Sequence, residues 1–216
     1  MRGLPDTDIY AVLSDACSRG RGNVATARRL LEAGVKIIQY REKDFPNQRQ
    51  LDECAAIRQL CDEHEACFIV NDDLDLALAV KADGLHLGQQ DIAPEEARRR
   101  IGIKMLLGYS VTTPREIDQA QNIEAVDYLG VGPVYATGTK PDAAIPGGLA
   151  LLDYALAHSN RPIVAIGGIK QEHVAELISR GVRYIAMVSE LTGAADIKQK
   201  VADIRAAVAV AQQFDN

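Results

Sequence analysis

Residues 66–91 read ACFIVNDDLDLALAVKADGLHLGQQD, two short apolar runs separated by a segment with helical periodicity. The first run ends in Asn71 and Asp72, and the second is closed by Asp91. A strand, a helix and a second strand in this order form one unit of a parallel sheet, in which both strands end at the same edge. The sequence therefore predicts that a carboxamide and two carboxylates lie together at the ends of neighbouring strands.

The same alternation of strand-length apolar runs and helical segments occurs eight times along the chain. The predicted strands are DIYAVLS, KIIQYRE, ACFIVND, GLHLG, MLLGYSV, VDYLGVGPV, RPIVAIGG and RYIAMVS. The helices are centred on VATARRLLEAG, NQRQLDECAAIRQLCDEHE, LDLALAVKA, PEEARRRIG, TPREIDQAQN, GLALLDYALAH, KQEHVAELISRG and AADIKQKVADIRAAVAVAQQ. Gly34, Gly102 and Gly181 follow helices, and Pro94 and Pro114 open two others, as is typical of helix ends.

Eight strand–helix units without an intervening linker predict an α/β fold, a single (β/α)8 TIM barrel spanning residues 1–216. An open, doubly wound sheet is the alternative. It is disfavoured because such a sheet usually has about five or six strands and a glycine-rich first turn. GRGNVATA, which follows the first strand here, lacks the G-x-G-x-x-G spacing of that turn.

The composition of the chain argues against several classes of binding partner. The chain has 216 residues, a formal net charge of −6 and a pI near 5.3, so a broad nucleic-acid or anionic-membrane surface is not expected. No apolar run approaches the roughly 18–20 residues that cross a bilayer, and MRGLPDTDIY lacks the apolar core of a signal peptide. We therefore expect a cytoplasmic protein with small-molecule ligands and without nucleic-acid or membrane partners.

The cysteines and histidines do not show the spacing of a zinc site. We expect the thiols to be reduced and buried, with two of them on one face of a helix. The four thiols are those of Cys17, Cys54, Cys61 and Cys67, of which Cys54 and Cys61 share the helix. His86 lies inside a strand and is expected to face the barrel interior as a structural hydrogen-bonding residue.

In a TIM barrel the chemistry takes place on the loops that follow the strands, so position alone assigns residues to one rim. Almost every predicted strand of this chain delivers a polar side chain or a glycine to that rim. These residues are Arg41, Lys43, Asn71, Asp72, Asp91, Ser110, Thr137, Thr139, Lys140, Gly167, Gly168 and Ser189.

Asp72 and Asp91 form the first candidate site. Adjacent strands lie about 4.8 Å apart, so the two carboxylates can share a Mg²⁺ ion, which prefers one or two carboxylates with water and phosphate oxygens elsewhere. Gln39, Arg41 and Lys43 alternate along their strand and are expected to point to the same side, toward a ligand. The alternative for Asp72 is capping of the next helix, although NDDLD supplies further acids for that role.

The loops after the seventh and eighth strands form the second candidate site. AIGGI and MVSEL occupy these positions, which in TIM barrels commonly bind a monophosphate through backbone N–H groups and a helix N-terminus. Gly168 and Ser189 are the expected contacts, with a plain tight turn as the alternative for the glycines. YATGTKPDAAIPGG is expected to be a lid carrying Lys140. Two such sites suggest a transfer reaction in which one substrate leaves pyrophosphate and the other, anchored by its phosphate, attacks.

Six segments, in order and spacing, resemble the signature segments of the thiamine-phosphate synthase family. They are IQYREKD, FIVNDDLDLALAVKADGLHLGQQD, LGYSVT, DYLGVGPVYATGTK, PIVAIGGI and YIAMVS, and together they cover about residues 8 to 190. The resemblance implies a Mg²⁺-dependent condensation of 4-amino-5-hydroxymethyl-2-methylpyrimidine diphosphate with a thiazole phosphate, or its carboxythiazole form. The products would be thiamine phosphate and pyrophosphate, formed by a dissociative mechanism without a protein nucleophile.

Carried over by position, the resemblance makes Asp72 and Asp91 the magnesium ligands. The residues to which it gives catalytic roles are Arg41, Lys43, Ser110 and Lys140. The implied substrate-binding residues are Gln39, Tyr40, Arg41, Glu42, Lys43, Asn71, Ser110, Thr137, Gly138, Thr139, Lys140, Gly168, Val188 and Ser189. Among the latter, the thiazole phosphate would be held by Thr137, Thr139, Gly168, Val188 and Ser189, and the pyrimidine diphosphate by Gln39, Arg41, Lys43, Asn71, Ser110 and Lys140.

The chain departs from the family pattern at Thr112, where many members have a histidine, and at Tyr40, where a smaller aliphatic residue is usual. Two alternatives stay open at this point. A thiazole tautomerase would share the barrel, but it characteristically uses a histidine near the end of strand six, and GVGPVYA has none. A non-catalytic regulator that binds thiamine-related phosphates would not need the second aspartate. The sequence leaves the oligomeric state open, a homo-oligomer included.

Overall fold

The structure, a computed structural model, describes residues 3–138 and 146–213. Within these residues, eight parallel strands follow one another around a closed barrel, and the last strand pairs with the first. The strands are β1 Ile9–Leu13, β2 Ile37–Tyr40, β3 Cys67–Asn71, β4 Gly84–Leu87, β5 Leu106–Val111, β6 Tyr128–Val131, β7 Ile163–Ile166 and β8 Tyr184–Met187. The predicted α/β class and TIM barrel are confirmed.

Helices connect successive strands and cover the barrel. They are α1 Asn23–Glu32, α2 Asn47–Glu63, α3 Leu74–Ala79, α4 Pro94–Ile101, α5 Pro114–Gln121, α6 Gly148–His158, α7 Val174–Ser179, α8 Ser189–Thr192 and α9 Ile197–Gln213. The 3₁₀ turn at Asp15–Cys17 and the one-turn helix α8 were not predicted from the sequence, and the first turn of the predicted seventh helix, Gln171–His173, is a 3₁₀ turn. Among the described helices, none is long and apolar enough to cross a membrane.

Alternate residues of each strand pack into two separate apolar layers. On β1, Ile9, Ala11 and Leu13 face the surrounding helices, whereas Tyr10 and Val12 face the barrel interior. The interior layer contains branched and aromatic side chains from seven of the strands, so the barrel is a packed core and not a pore. The polar rim residues lie directly above this interior layer, at the C-terminal ends of the strands.

Three of the four cysteines are fully or nearly buried, and all four are free thiols. Cys54 and Cys61 both lie on the buried face of α2, as their spacing predicted. Among the residues that the structure describes, no group of three or more His, Cys, Asp or Glu side chains is arranged to hold a metal ion. Cys54, Cys61 and Cys67 thus pack as small apolar core groups, whereas Cys17, which was also expected to be buried, is partly exposed because it lies in a short 3₁₀ turn after β1.

Candidate active site

A cleft of about 520 Å³ opens at the C-terminal ends of the strands and is lined by residues from all eight strands or the loops that follow them. Most of the side chains predicted to act at the rim meet there. Those that line the cleft are Gln39, Arg41, Lys43, Asn71, Asp72, Asp91, Ser110, Thr137, Gly168, Val188 and Ser189. The structure thus brings together residues that are as much as 150 positions apart in the sequence.

Asp72 is held at the cleft by its backbone. It has a left-handed φ of 62°, and its amide donates to the carbonyl of His86 over 2.8 Å, which ties the end of β3 to β4. Asp73, and not Asp72, caps α3, because the Asp73 carboxylate accepts from the amide of Leu76 over 2.8 Å. The capping alternative for Asp72 is therefore excluded, and its carboxyl group is left for the cleft.

Asp91 approaches Asp72 from the loop after β4. Its Oδ2 accepts a 2.6 Å hydrogen bond from the amide of Gly88, which fixes the carboxylate in a tight turn. Burial raises the pKa of Asp72 to about 6, and a hydrogen bond and charge repulsion from Asp91 add to the increase. The charges of Lys43 and Arg41 act in the opposite direction and lower this pKa.

These properties fit a divalent cation. When both groups are ionised, the two neighbouring carboxylates repel each other, which adds to the raised pKa of Asp72, and a bound cation would relieve this repulsion. Two carboxylates leave most positions of an octahedral Mg²⁺ ion for water and phosphate oxygens. Asn71, at the end of β3, adds a carboxamide at the same edge. The donor set thus has the chemistry expected of a Mg²⁺–diphosphate site.

The predicted orientation of the strand-two residues is confirmed, because Gln39, Arg41 and Lys43 all line the cleft. Of these three residues only Gln39 lies in β2, and Arg41 and Lys43 lie in the loop just beyond it. Arg41 forms no hydrogen bond or ion pair with any other residue that the structure describes, although its charge reaches Asp72. An unpaired guanidinium beside a carboxylate pair is suited to bind an anion that also binds the cation.

Tyr40 and Glu42 require a correction, since the resemblance includes them among the substrate-binding residues and both turn away from the cleft. The Tyr40 hydroxyl donates to Glu53 on α2 over 3.0 Å. The Glu42 carboxylate accepts from the Asp15 amide over 2.5 Å and from the Asn23 side chain over 3.1 Å. The pleat of β2 is the cause, because alternate side chains of a strand face opposite sides. These two side chains hold the loop in place from behind.

Gly168, Val188 and Ser189 line the cleft from the segments that follow β7 and β8. Gly168 has a φ of 63°, and a Cβ there would lie 2.3 Å from the Ala136 carbonyl oxygen. Glycine is therefore required by close backbone packing, whatever ligand is bound. Ser189 begins α8, which has only four residues, so the helix dipole that the sequence suggested is weak at this position.

The loop after β6 is described only in part. Thr137 lines the cleft, whereas Gly138 does not, and a Cβ on Gly138 would meet no atom within 4 Å. Thr139 and Lys140, together with the rest of residues 139–145, which make up half of the predicted lid, lie outside the described residues. Their roles therefore stay predictions.

Several cleft residues were not predicted as site residues from the sequence. Tyr10 and Tyr128 line its floor, and Gln89 and Glu116 line its wall. Glu116 accepts from both the amide and the hydroxyl of Thr112, over 2.6 and 2.9 Å. The period-two alternation of β1 and β6 could have identified the tyrosines, because each places a hydroxyl on the inward side of an otherwise apolar strand.

A TIM barrel with carboxylates, cations and glycine loops at the C-terminal ends of its strands defines a class, the barrel enzymes that act on anionic small molecules. A family model described as thiamine monophosphate synthase matches residues 9–191. The chain belongs to the thiamine monophosphate synthase family. It is accordingly a transferase of thiamine biosynthesis, and the two alternatives raised by the sequence are not favoured.

Relatives of similar length support this assignment. The chain is 45% identical over 208 residues to a thiamine-phosphate synthase of Pelotomaculum thermopropionicum, covering 96% of this chain and 95% of the relative. It is 41% identical over 206 residues to a thiamine-phosphate synthase of Lawsonia intracellularis, covering 95% and 94%. A solved thiamine phosphate pyrophosphorylase from Pyrococcus furiosus superimposes with a TM-score of 0.86 at 33% identity, covering 95% of this chain and 97% of that one.

Proposed function

We propose that this chain joins 4-amino-5-hydroxymethyl-2-methylpyrimidine diphosphate and a thiazole phosphate to give thiamine phosphate and pyrophosphate. The bond between the pyrimidine methylene carbon and the diphosphate oxygen breaks, and its electron pair leaves with pyrophosphate. The thiazole nitrogen supplies the electron pair of the new carbon–nitrogen bond. The aminopyrimidine ring delocalises the positive charge on the methylene carbon in between, so no protein nucleophile is needed.

The acidic pair and the cations divide the work on the diphosphate. Asp72 and Asp91 would hold Mg²⁺, which when bound neutralises charge on the diphosphate. Arg41 and Lys43 line the same side of the cleft, where they would bind and orient the diphosphate oxygens as negative charge develops on them. Lys140 would add a third cation, and this role rests on the family resemblance alone.

The opposite side of the cleft would hold the second substrate. Gly168, Val188, Ser189 and Thr137 line it, and backbone N–H groups with a hydroxyl can bind the three oxygens of a monophosphate. The observation that carries the proposal is this division of one cleft into a side with carboxylates and cations and a side with glycine and hydroxyl groups. A reaction between two phosphorylated substrates requires both sides.

The proposal is tested by incubating the purified chain with both substrates and Mg²⁺ and measuring thiamine phosphate and pyrophosphate by chromatography. Equal amounts of the two products are expected, and neither product without Mg²⁺. Asp6→Asn is a matched control, since Asp6 is an exposed acid whose partner is Arg183, remote from the cleft. Binding of both substrates without pyrophosphate release would contradict the proposal and favour a regulator.

We further propose that Mg²⁺ is the natural cation and that the enzyme works in the cytoplasm. Titration of activity with Mg²⁺ and with Mn²⁺ distinguishes the two metals. If Mn²⁺ supports faster turnover at cellular concentrations of each ion, the assignment of Mg²⁺ has to be replaced.

A further inference from the structure

Five polar side chains from five different strands form a continuous hydrogen-bonded network across the floor of the cleft. Gln39 Nε2 donates to the Tyr10 hydroxyl over 2.6 Å, and the hydroxyls of Tyr10 and Tyr128 are 3.0 Å apart. His86 Nδ1 lies 3.0 Å from the Tyr128 hydroxyl, and His86 Nε2 lies 2.9 Å from Ser110 Oγ. The network crosses the barrel interior and ends at Ser110, which lines the cleft.

The number of available hydrogens determines which group donates in each bond of this network. The Gln39 NH₂ group can only donate, so the Tyr10 oxygen accepts, and each phenol has one hydrogen to give. If Tyr10 donates to Tyr128 and Tyr128 donates to His86 Nδ1, every buried hydroxyl hydrogen is used. In the reverse direction the hydroxyl hydrogen of Tyr10, which is 1% exposed, would have no acceptor among the described residues. Only the forward direction gives every buried hydroxyl hydrogen an acceptor among the described residues.

The forward direction determines what Ser110 presents to a ligand. With Nδ1 accepting, neutral His86 carries its hydrogen on Nε2 and donates it to Ser110 Oγ. The Ser110 hydroxyl, having accepted from below, keeps its own hydrogen for the cleft. Burial raises the pKa of both Tyr10 and Tyr128, which keeps the phenols protonated and the network intact.

Two glycines make room for the network. A Cβ on Gly108 of β5 would lie 2.2 Å from Cζ of Tyr128 and 2.4 Å from Nδ1 of His86. A Cβ on Gly130 of β6 would lie 3.0 Å from Cε1 of His86. Glycine inside a strand costs stability, so its presence on two adjacent strands at this place supports a requirement for the His86 and Tyr128 rings.

We propose that Tyr10, Tyr128 and His86 are positioning residues that fix Ser110 as a hydrogen-bond donor to the diphosphate-bearing substrate. The inference rests on the proposed function for its kinetic test, and it goes beyond that function by assigning a role to three side chains of the barrel interior. Although all three line the floor of the cleft, we assign them no direct contact with the reacting atoms. Their effect on turnover passes through the hydroxyl of Ser110 alone.

The kinetic test is a double-mutant cycle. Ser110→Ala, Tyr128→Phe and His86→Leu are each expected to lower kcat/KM about tenfold or more, with the same division between kcat and KM. In the Ser110→Ala background, Tyr128→Phe and His86→Leu should cause almost no further loss. His86→Gln, whose amide can replace the Nε2 donor, should recover part of the activity that His86→Leu loses.

Tyr184→Phe is the matched control, because Tyr184 is a buried tyrosine of the same interior layer whose hydroxyl has no hydrogen-bond partner among the described residues. It should retain wild-type kinetics. A thermal melt of each variant confirms that the protein is folded at the assay temperature, so that the kinetic constants can be compared. Losses that multiply in the Ser110→Ala background, or an equal loss in Tyr184→Phe, would overturn the positioning role.

A second measurement does not depend on turnover. The ¹⁵N spectrum of the histidine side chains, assigned with the His86→Gln variant, should show His86 as the neutral Nε2–H tautomer with Nδ1 accepting, and Tyr128→Phe should shift the Nδ1 resonance. An Nδ1–H tautomer would reverse the network and overturn the inference. If the wild-type protein forms no thiamine phosphate, the proposed function fails, while the tautomer still decides whether the directed network exists.

Discussion

The N-terminal end of the barrel and its C-terminal rim both carry charged side chains, and the two ends use them in opposite ways. At the N-terminal end, Arg98 of α4 donates to the carbonyl oxygens of Gly102, Met105 and Ala125 and pairs with Asp127 over 2.6 Å. These bonds use carbonyl groups that helix and strand ends would otherwise leave unsatisfied. The guanidinium of Arg98 thus has structural partners and joins one strand–helix unit to the next.

An open cavity of about 710 Å³ at the N-terminal end follows the same rule. Arg183 on its wall pairs with Asp6 over 2.6 Å, and Arg205 donates to the carbonyl oxygen of Gly34 over 2.8 Å. Lys36 donates to a backbone carbonyl over 2.6 Å. The cavity is larger than the cleft at the rim, but its cations already have partners, so size alone does not indicate a site.

At the rim, charges are held close together without full compensation. Asp72 and Asp91 repel each other, and Arg41 makes no hydrogen bond or ion pair within the described part of the chain. Such an arrangement costs folding free energy and leaves its charges available to a ligand. Within the described residues, the two ends of this barrel therefore differ in whether their charges are paired, more than in how many charges they carry, and the end with the unpaired charges is the one with the cleft.

The largest effect expected from breaking the rim is on activity. Asp91→Asn keeps an oxygen that can accept from the Gly88 amide but removes one of the two negative charges that would hold Mg²⁺. We expect a loss of about a hundredfold or more in kcat/KM without any decrease in the melting temperature. Steady-state kinetics over a Mg²⁺ titration, with Asp6→Asn as the charge-matched control, measures it. Near-normal turnover at low Mg²⁺ would refute the shared-cation assignment.

The converse change at the N-terminal end is Arg98→Met, which should affect stability instead. It leaves three carbonyl oxygens without the Arg98 donor and Asp127 without its cationic partner, although Asp127 still accepts from the Leu107 amide over 2.8 Å. We therefore expect the free energy of unfolding to fall by about 2–3 kcal/mol. Urea denaturation measures this loss. The kinetic constants of the folded protein should not change, and a specific loss of kcat would show that the two ends are coupled.

The sequence was a reliable guide to the fold because hydrophobic periodicity specifies strands and helices locally. It was less reliable where a strand ends. The predicted sixth strand continues to Val134, whereas β6 ends at Val131, since Pro133 has no backbone N–H to donate. The short helix α8 was also missed, because four residues are too few to show helical periodicity.

The candidate site was predictable only in part. Chain position after a strand correctly brought Asp72, Asp91 and Arg41 to one cleft. The glycine pair could not be interpreted from sequence, because phosphate binding and close backbone packing demand the same residue, and at Gly168 the structure shows the packing. The hydrogen-bonded network that includes Tyr10 joins residues far apart in sequence, and no local sequence pattern reveals such hydrogen bonds.

Asp72→Asn should stabilise the protein in metal-free buffer. The pKa of Asp72 is raised in the folded state from 3.8 to about 6, so the folded protein binds more protons and its stability falls as the pH rises through this window. The asparagine variant avoids this loss, and we expect a gain of about 1 kcal/mol above pH 6 after allowance for solvent screening in the open cleft. Thermal melts in EDTA at several pH values measure it. The gain should vanish below about pH 4, and an equal gain at every pH would exclude ionisation as its cause.

The smallest expected effect is that of Arg41→Met on stability. Since Arg41 has no bonded partner among the described residues, its loss should change the free energy of unfolding by less than about 0.5 kcal/mol. Urea denaturation beside Arg98→Met gives the direct contrast between the two ends. A loss as large as that of Arg98→Met would mean that the rim cation is a structural residue and would remove the distinction.

We propose that the rim holds Asp72 and Asp91 close together, without an ion-pair partner among the described residues, so that they can bind a cation together with a diphosphate. Isothermal titration of inorganic pyrophosphate into the wild-type protein, with and without Mg²⁺, and into the Asp72→Asn, Asp91→Asn double variant tests it most directly. We predict that Mg²⁺ strengthens binding to the wild-type protein at least about tenfold and has almost no effect on the double variant. Equal strengthening by Mg²⁺ in both proteins would show that the ion binds with pyrophosphate elsewhere, and the claim would be contradicted.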